Sequence, residues 1–262
     1  MIDPRRVAAL VLVAALVVSA GCAAVQDATG DRASDAVEGP PPGVSTENVT
    51  DATALVGAHV DALSNRSFTA VVTSERRSPG DEETISATRQ RWRLDPTGTV
   101  RGTWSLRVRE APSSEGDDAA PQRPTRMVSW RSGDTTYRRV ENGSVTVRSV
   151  PVSQTRVRLA PALSRRSIVA LGDARNVSVS RTTVDGATRY EITGDLPDTR
   201  FRSNRTVTLS VAPSGLVREI HVTYRSEFRS AIAVERTVRF TAIGETTPER
   251  PDWADGTTNA TG

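Results

Sequence analysis

One cysteine and six asparagines are the residues of this chain whose surroundings specify chemistry. Cys22 follows Val17-Val18-Ser19-Ala20-Gly21, a small-residue approach of lipobox type with Ser19 where Leu is usual. Cleavage before Cys22 would leave its sulfur as a thioether to a lipid. Every asparagine opens an Asn-x-Ser/Thr sequon: Asn48, Asn65, Asn142, Asn176, Asn204 and Asn259. On composition alone, six matches in six would arise about once in ten thousand sequences. Such acceptors are modified after export, on exposed backbone. The two patterns together predict an exported, lipid-anchored and glycosylated chain.

Residues able to catalyse are sparse. The only histidines are His59 and His221. His59 falls on an apolar helical stripe, as a packed or cavity-edge histidine would, and His221 has Glu219 and Thr223 as same-face strand neighbours, as on a surface. No His-Cys-carboxylate grouping has metal spacing. The sequence has no nucleophile elbow, phosphate loop or dinucleotide fingerprint. The acidic patches 81–83 and 115–118 lack the alternating oxygens of a calcium loop. The expectation is a protein that is not an enzyme and uses no cofactor or metal. Aromatic residues suggest binding instead: Trp104, Trp130, Tyr137 and Tyr190 lie in alternating strands, where they would pack a core or wall an apolar cavity.

Charge and composition exclude some partners. The net charge of +3 is small against 34 basic and 31 acidic residues, and an exported chain meets no nucleic acid. All basic residues are Arg, a bias that fits GC-rich coding, including that of halophilic archaea. In molar salt the Debye length falls to about 3 Å, so only contact pairs would matter there. At the N-terminus, Arg5-Arg6 precedes an unbroken apolar run, Val7 to Val18. The run is shorter than the roughly 20 residues a membrane helix needs and reads as a signal-peptide core, residues 1–21, exported by the general or the twin-arginine route. After cleavage at Cys22 no thiol remains for a disulfide, so the fold must rest on core burial.

The elements that must carry these residues follow from periodicity. Residues 22–47, rich in Ala, Asp, Gly, Ser and Pro, read as a lipidated, disordered tether spanning roughly 25–30 Å. One domain then covers 48–253, and 254–262 forms a disordered tail. Thr50 or Asp51 caps a helix over 51–64, with Leu55, Val56, His59, Val60 and Leu63 on one face. Period-two segments follow. Val100, Gly102, Trp104, Leu106 and Val108 alternate with polar neighbours, and Trp92 takes the opposite parity to Arg89, Arg91 and Arg93. Ser132-Gly133-Asp134, Asn142-Gly143, Asp185-Gly186 and Pro213-Ser214-Gly215 mark hairpins. A second helical stretch, about 157–171, interrupts the strands, and 111–124 reads as a polar loop.

Eight to ten such strands present more apolar face than a helix of about 21 Å can cover, so the sheet must curl or leave a cavity. The predicted fold is mainly β (α+β): a strongly curved antiparallel sheet or incomplete barrel packed on an N-terminal amphipathic helix plus a mid-chain helical segment. The element order, the closing Pro251-Asp252-Trp253 and the hairpins at 130–137 and 184–192 resemble the lipoprotein-carrier superfamily. That superfamily includes the Lol-type carriers and the mycobacterial lipid-binding lipoproteins. The chain also resembles, more closely, small lipoproteins of halophilic archaea. The resemblance implies a barrel that holds a lipid against its helix. Leu55, Val56 and His59 would then face Trp104, Leu106, Val128, Trp130 and Tyr137 across an apolar pocket of several hundred Å³. The expected partners are the membrane, through the anchor on its extracellular face, an apolar ligand and possible cell-envelope proteins. A structural or interaction lipoprotein without a small ligand is the alternative. A transporter's solute receptor would need two parallel α/β lobes, which these segments do not form.

Overall fold

The computed structural model describes residues 39–78, 84–108, 125–141, 145–151, 161–227 and 231–254. Cys22, Asn142 and Asn259 lie outside the described residues. So do the expected signal segment, the tether as far as residue 38, the loop 111–124, both acidic patches and the tail after Ala254.

The first helix, α1 (Ala52–Ser64), starts where the sequence predicts. Asp51 caps it, accepting from the N–H groups of Thr53 at 2.8 Å and Ala54 at 3.0 Å, which satisfies two of the donors every helix start leaves free. The strands are β1 (Phe68–Arg77), β2 (Thr84–Leu94), β3 (Val100–Val108), β4 (Thr125–Ser132), β5 (Thr135–Glu141) and β6 (Val145–Pro151). A second helix, α2 (Pro161–Ala170), separates them from β7 (Arg175–Val184), β8 (Ala187–Leu196), β9 (Arg202–Val211), β10 (Val217–Ser226) and β11 (Ile232–Thr241). Pro161 opens α2, the position where a missing N–H and a fixed φ cost a helix nothing.

The eleven strands of the described residues form one antiparallel sheet in the order β6-β5-β4-β3-β2-β1-β11-β10-β9-β8-β7. Two meanders therefore join where the last strand pairs with the first, Val72 opposite Val238. The sheet is open, with β6 and β7 as its edges. Neighbouring strands rotate by roughly 20–25°, and that twist, accumulated over eleven strands, makes a curved sheet rather than a flat one.

Both helices sit over one wing. The core joins Leu55, Val56 and Leu63 of α1 and Ile168 of α2 to Phe68, Ala70 and Val72 of β1, Phe240 of β11, Ile220 of β10, Leu209 of β9 and Ile192 of β8. Gly215, at φ +87°, lets the β9–β10 turn approach Ala58 of α1, where a side chain would collide. The packed chain begins earlier than residue 48: Val44 is buried in this core, and the carbonyl of Gly43 accepts from the N–H groups of Thr50 and Asp51. It also ends by crossing back. Thr246 bonds Thr69 and Ser67, and Pro248, Pro251 and Ala254 are buried.

Candidate functional site

Directly paired residues of antiparallel strands share a face, so register decides which side chains meet. The core line Ala70–Trp92–Gly102–Ser129 defines the helix-side face of β1–β4. Trp92 lies across Gly102, where any Cβ would collide with the indole. The next line on that face runs Val72–Gln90–Trp104–Met127–Val140. Leu106 lies beyond Trp104 on the same strand. Trp104, Leu106, Met127 and Val140 are only half-buried and stand apart from the core beneath the helices. The anchoring contacts of the helices run instead to β8, β10 and β11.

His59 carries those contacts. Its Nδ1 lies 3.2 Å from the Val217 N–H, which can only donate, so Nδ1 accepts and Nε2 bears the proton. That Nε2–H then donates to Ser164 Oγ of α2 at 3.0 Å. The ring also meets Phe240 edge-on, at 4.9 Å between centroids. Burial pushes its pKa down to about 4, keeping the imidazole neutral. Both nitrogens are thus spent on joining α1, α2 and β10. Leu55 and Val56 are buried in the same core beneath α1.

The expected cradle does not assemble as one wall. Trp104 and Leu106 do face the helix side. Val128, opposite Thr103, and Trp130, between Arg101 and Tyr137, point to the other face. Both are buried there, outside the main core. The physical reason is register: Trp104 pairs with Met127, so the odd-numbered parity of β4 goes inward despite its poorer apolar content.

On that opposite face lies a cavity of about 370 Å³, lined by Arg89, Arg91, Arg93, Arg101 and Arg126, with the hydroxyls of Thr103 and Ser105. Trp104 also borders it, although register sets its side chain on the helix side. The hairpin that aligns these arginines is held by Asp95, whose Oδ1 accepts from the Thr97 N–H at 2.9 Å and the Thr99 N–H at 3.0 Å. Leu94 then pairs with Val100 and Arg93 with Arg101. The arginine rows are visible in the sequence; their convergence on one cavity needs the register.

The same face of β1, β10 and β11 is ion-paired. Arg239 forks onto Glu219 at 2.8 and 3.1 Å. Arg77 reaches Glu75 at 2.8 Å and Glu235 at 3.4 Å, and His221 Nε2 lies 3.0 Å from Glu235. His221 keeps the partly exposed position its neighbours predict. Among the described residues no three His, Cys, Asp or Glu side chains group as metal ligands, and no helix is long and apolar enough to cross a membrane.

Four sequons fall on described residues, and all four asparagines are exposed. Asn48 lies in the 44–49 turn and Asn65 ends α1. Asn176 and Asn204, at φ 50° and 49°, sit at irregularities near the starts of β7 and β9. Asn176 Nδ2 donates to Asp195 at 3.1 Å.

No family model matches the chain, and no curated protein matches it. Among solved structures the chain is similar to a LolA superfamily protein from Nitrosomonas europaea, at 12% identity over 77% of this chain and 96% of that one, with a TM-score of 0.27. It is similar to a putative outer membrane lipoprotein-sorting protein domain from Vibrio parahaemolyticus at 6% identity, over 79% and 97%, with a TM-score of 0.26. It is also similar to MucB in complex with MucA(peri) at 15% identity, over 74% of this chain and 56% of that one, at 0.32. These matches include the superfamily the hairpins resemble. At scores this low they supply no argument about ligand or activity, which rests on the chain's own geometry.

Proposed function

We propose that this chain is a lipoprotein of the cell envelope, anchored at the extracellular face of the membrane through Cys22, glycosylated on its exposed sequons, and that it binds rather than transforms its ligand. Its ligand is the apolar chain of a lipid, held along the helix-side face of β3–β5. One observation carries this reading: Trp104, Leu106, Met127 and Val140 continue the core face past the helices yet stay half-buried. Such a strip gains about 25 cal/mol per Å² of apolar surface when an apolar partner covers it. The non-catalytic reading is supported by the histidines, His59 being spent on packing and His221 paired with Glu235.

A second reading has its own support. The burial of Leu55, Val56 and His59 in one core beneath α1, with both His59 nitrogens bonded within the protein, suits a structural or interaction lipoprotein without a small ligand. Lipid extraction and mass spectrometry of the purified full chain separate the two. Co-purifying lipid, lost on Leu106→Arg with Met127→Arg while circular dichroism is unchanged, supports binding. An absence of lipid, or equal lipid in the double variant, favours the second reading.

A further inference from the structure

The cavity on the outer face of β2–β4 is lined by five guanidinium groups. Successive same-face residues of a strand stand about 6.6–6.8 Å apart and neighbouring strands about 4.8 Å, so these charges form a grid rather than a point. The nearby carboxylates are few. Glu249 reaches Arg101 at 3.3 Å, and Glu141 lies 3.9 Å from Arg126 and 3.1 Å from Arg139. Among the described residues Arg89, Arg91 and Arg93 have no carboxylate partner. Arg93 stands directly opposite Arg101, an arrangement that costs stability unless an anion lies between the charges. The Trp130 Nε1–H, on the residue paired with Arg101, is buried without an acceptor.

We propose that this cavity is a binding site for a ligand carrying two or more phosphate groups. Guanidinium forks match phosphate oxygens in pairs, and the Thr103 hydroxyl adds a neutral group between them, while that of Ser105 donates to the Arg89 carbonyl. The volume of about 370 Å³ suits a ligand of a few phosphate groups. On the same face of β1, β10 and β11, by contrast, Arg77 and Arg239 already have the carboxylates of Glu75 and Glu219 in place. The phosphates could belong to a soluble oligophosphate or to a phospholipid headgroup.

Calorimetric titration of the full chain at low ionic strength tests the site. Inorganic triphosphate and soluble dihexanoyl phosphatidylinositol 4-phosphate, whose headgroup region carries two phosphates, are the two probes. Arg91→Gln with Arg93→Gln should weaken binding by about tenfold or more, since each charge-assisted bond is strong. Arg225→Gln with Arg239→Gln, which removes equal charge from the ion-paired region, should change it by less than about twofold. Binding of triphosphate alone identifies a soluble anion, and binding of both with the same arginine dependence includes the headgroup. No binding of either probe, or equal weakening by the two double variants, overturns the site.

Discussion

On β1 and β8–β11 one sheet face lies beneath both helices, and the other is laced by Arg–Glu pairs on β1, β10 and β11. On β2–β5 the corresponding faces carry a half-buried apolar strip and an arginine cavity with few carboxylates. Pairing is unbroken from β2 to β6 and shifts register at β7–β8 and β9–β10, so poorer backbone pairing does not explain the second wing's unpartnered side chains. The difference lies in what the side chains find across from them. The first wing buries its apolar face under the helices and pairs Arg77 and Arg239 with carboxylates. The other leaves both kinds of group available, and that is where binding is proposed.

The comparison is sharpest in the core. Leu55→Ala, at a residue with 0% exposure, should cost about 2–5 kcal/mol in urea unfolding. Leu106→Ala, half-buried on the other wing, should cost less than about 1.5 kcal/mol. Equal losses would mean that the second wing is as tightly packed as the first.

Acid should act through the first wing. The His59 pKa is about 4 folded against an ordinary 6.5, so between those values the unfolded chain binds more protons. This contribution is therefore complete above pH 6.5 and is lost as pH falls toward 4, by about 3 kcal/mol in all. Protonated Nδ1 could no longer accept from Val217. His59→Gln should lower stability at pH 7 and flatten the decline between pH 6.5 and 4. Parallel stability profiles for wild type and variant would remove His59 from the account.

Much of the covered wing was legible in the sequence because its signals are local. Asp51 marks its helix start, the Asp185-Gly186 and Pro213-Ser214-Gly215 turns mark hairpins, and Phe68, Ala70 and Val72 alternate cleanly. Eleven strands exceed the eight to ten expected. The face of β4 was not legible, because residues 126–131 alternate Arg126, Val128 and Trp130 with Met127, Ser129 and Arg131. Apolar content favours the first set as inward, while pairing of Trp104 with Met127 selects the second. The segment between β3 and β4, residues 109–124, is too long for a tight hairpin turn to set this register. Arg89, Arg91 and Arg93 were visible as a row, but only the Asp95 turn places Arg101 opposite Arg93, with Thr103 and Ser105 opposite the other two.

Surface charge gives a smaller effect that still distinguishes the wings. Arg239 and Glu219 form a two-bond pair, yet their side chains are 61% and 37% exposed. Solvent screening limits such a pair to at most about 1 kcal/mol. Arg239→Gln should destabilise by no more than that at low ionic strength, and by less in 1 M salt. A loss that ignores salt would point to packing of the arginine stem instead.

Arg93→Gln should do the reverse. Arg93 faces Arg101 across the ladder and shares its strand face with Arg91, so its nearest charged positions on the sheet are like charges, of which Arg101 alone has a carboxylate, Glu249, in place. Glutamine keeps part of the stem and removes the repulsion. Without ligand at low ionic strength, the variant should be more stable by about 0.2–0.5 kcal/mol, within the range of cross-strand charge pairs. The gain should vanish in 1 M salt, where the Debye length is about 3 Å. Saturating triphosphate should invert the order, because a ligand that binds only the folded state stabilises the tighter binder more. Destabilisation by Arg93→Gln at low salt, matching that of Arg239→Gln, would show that the arginines of both wings are equally compensated and would break the comparison.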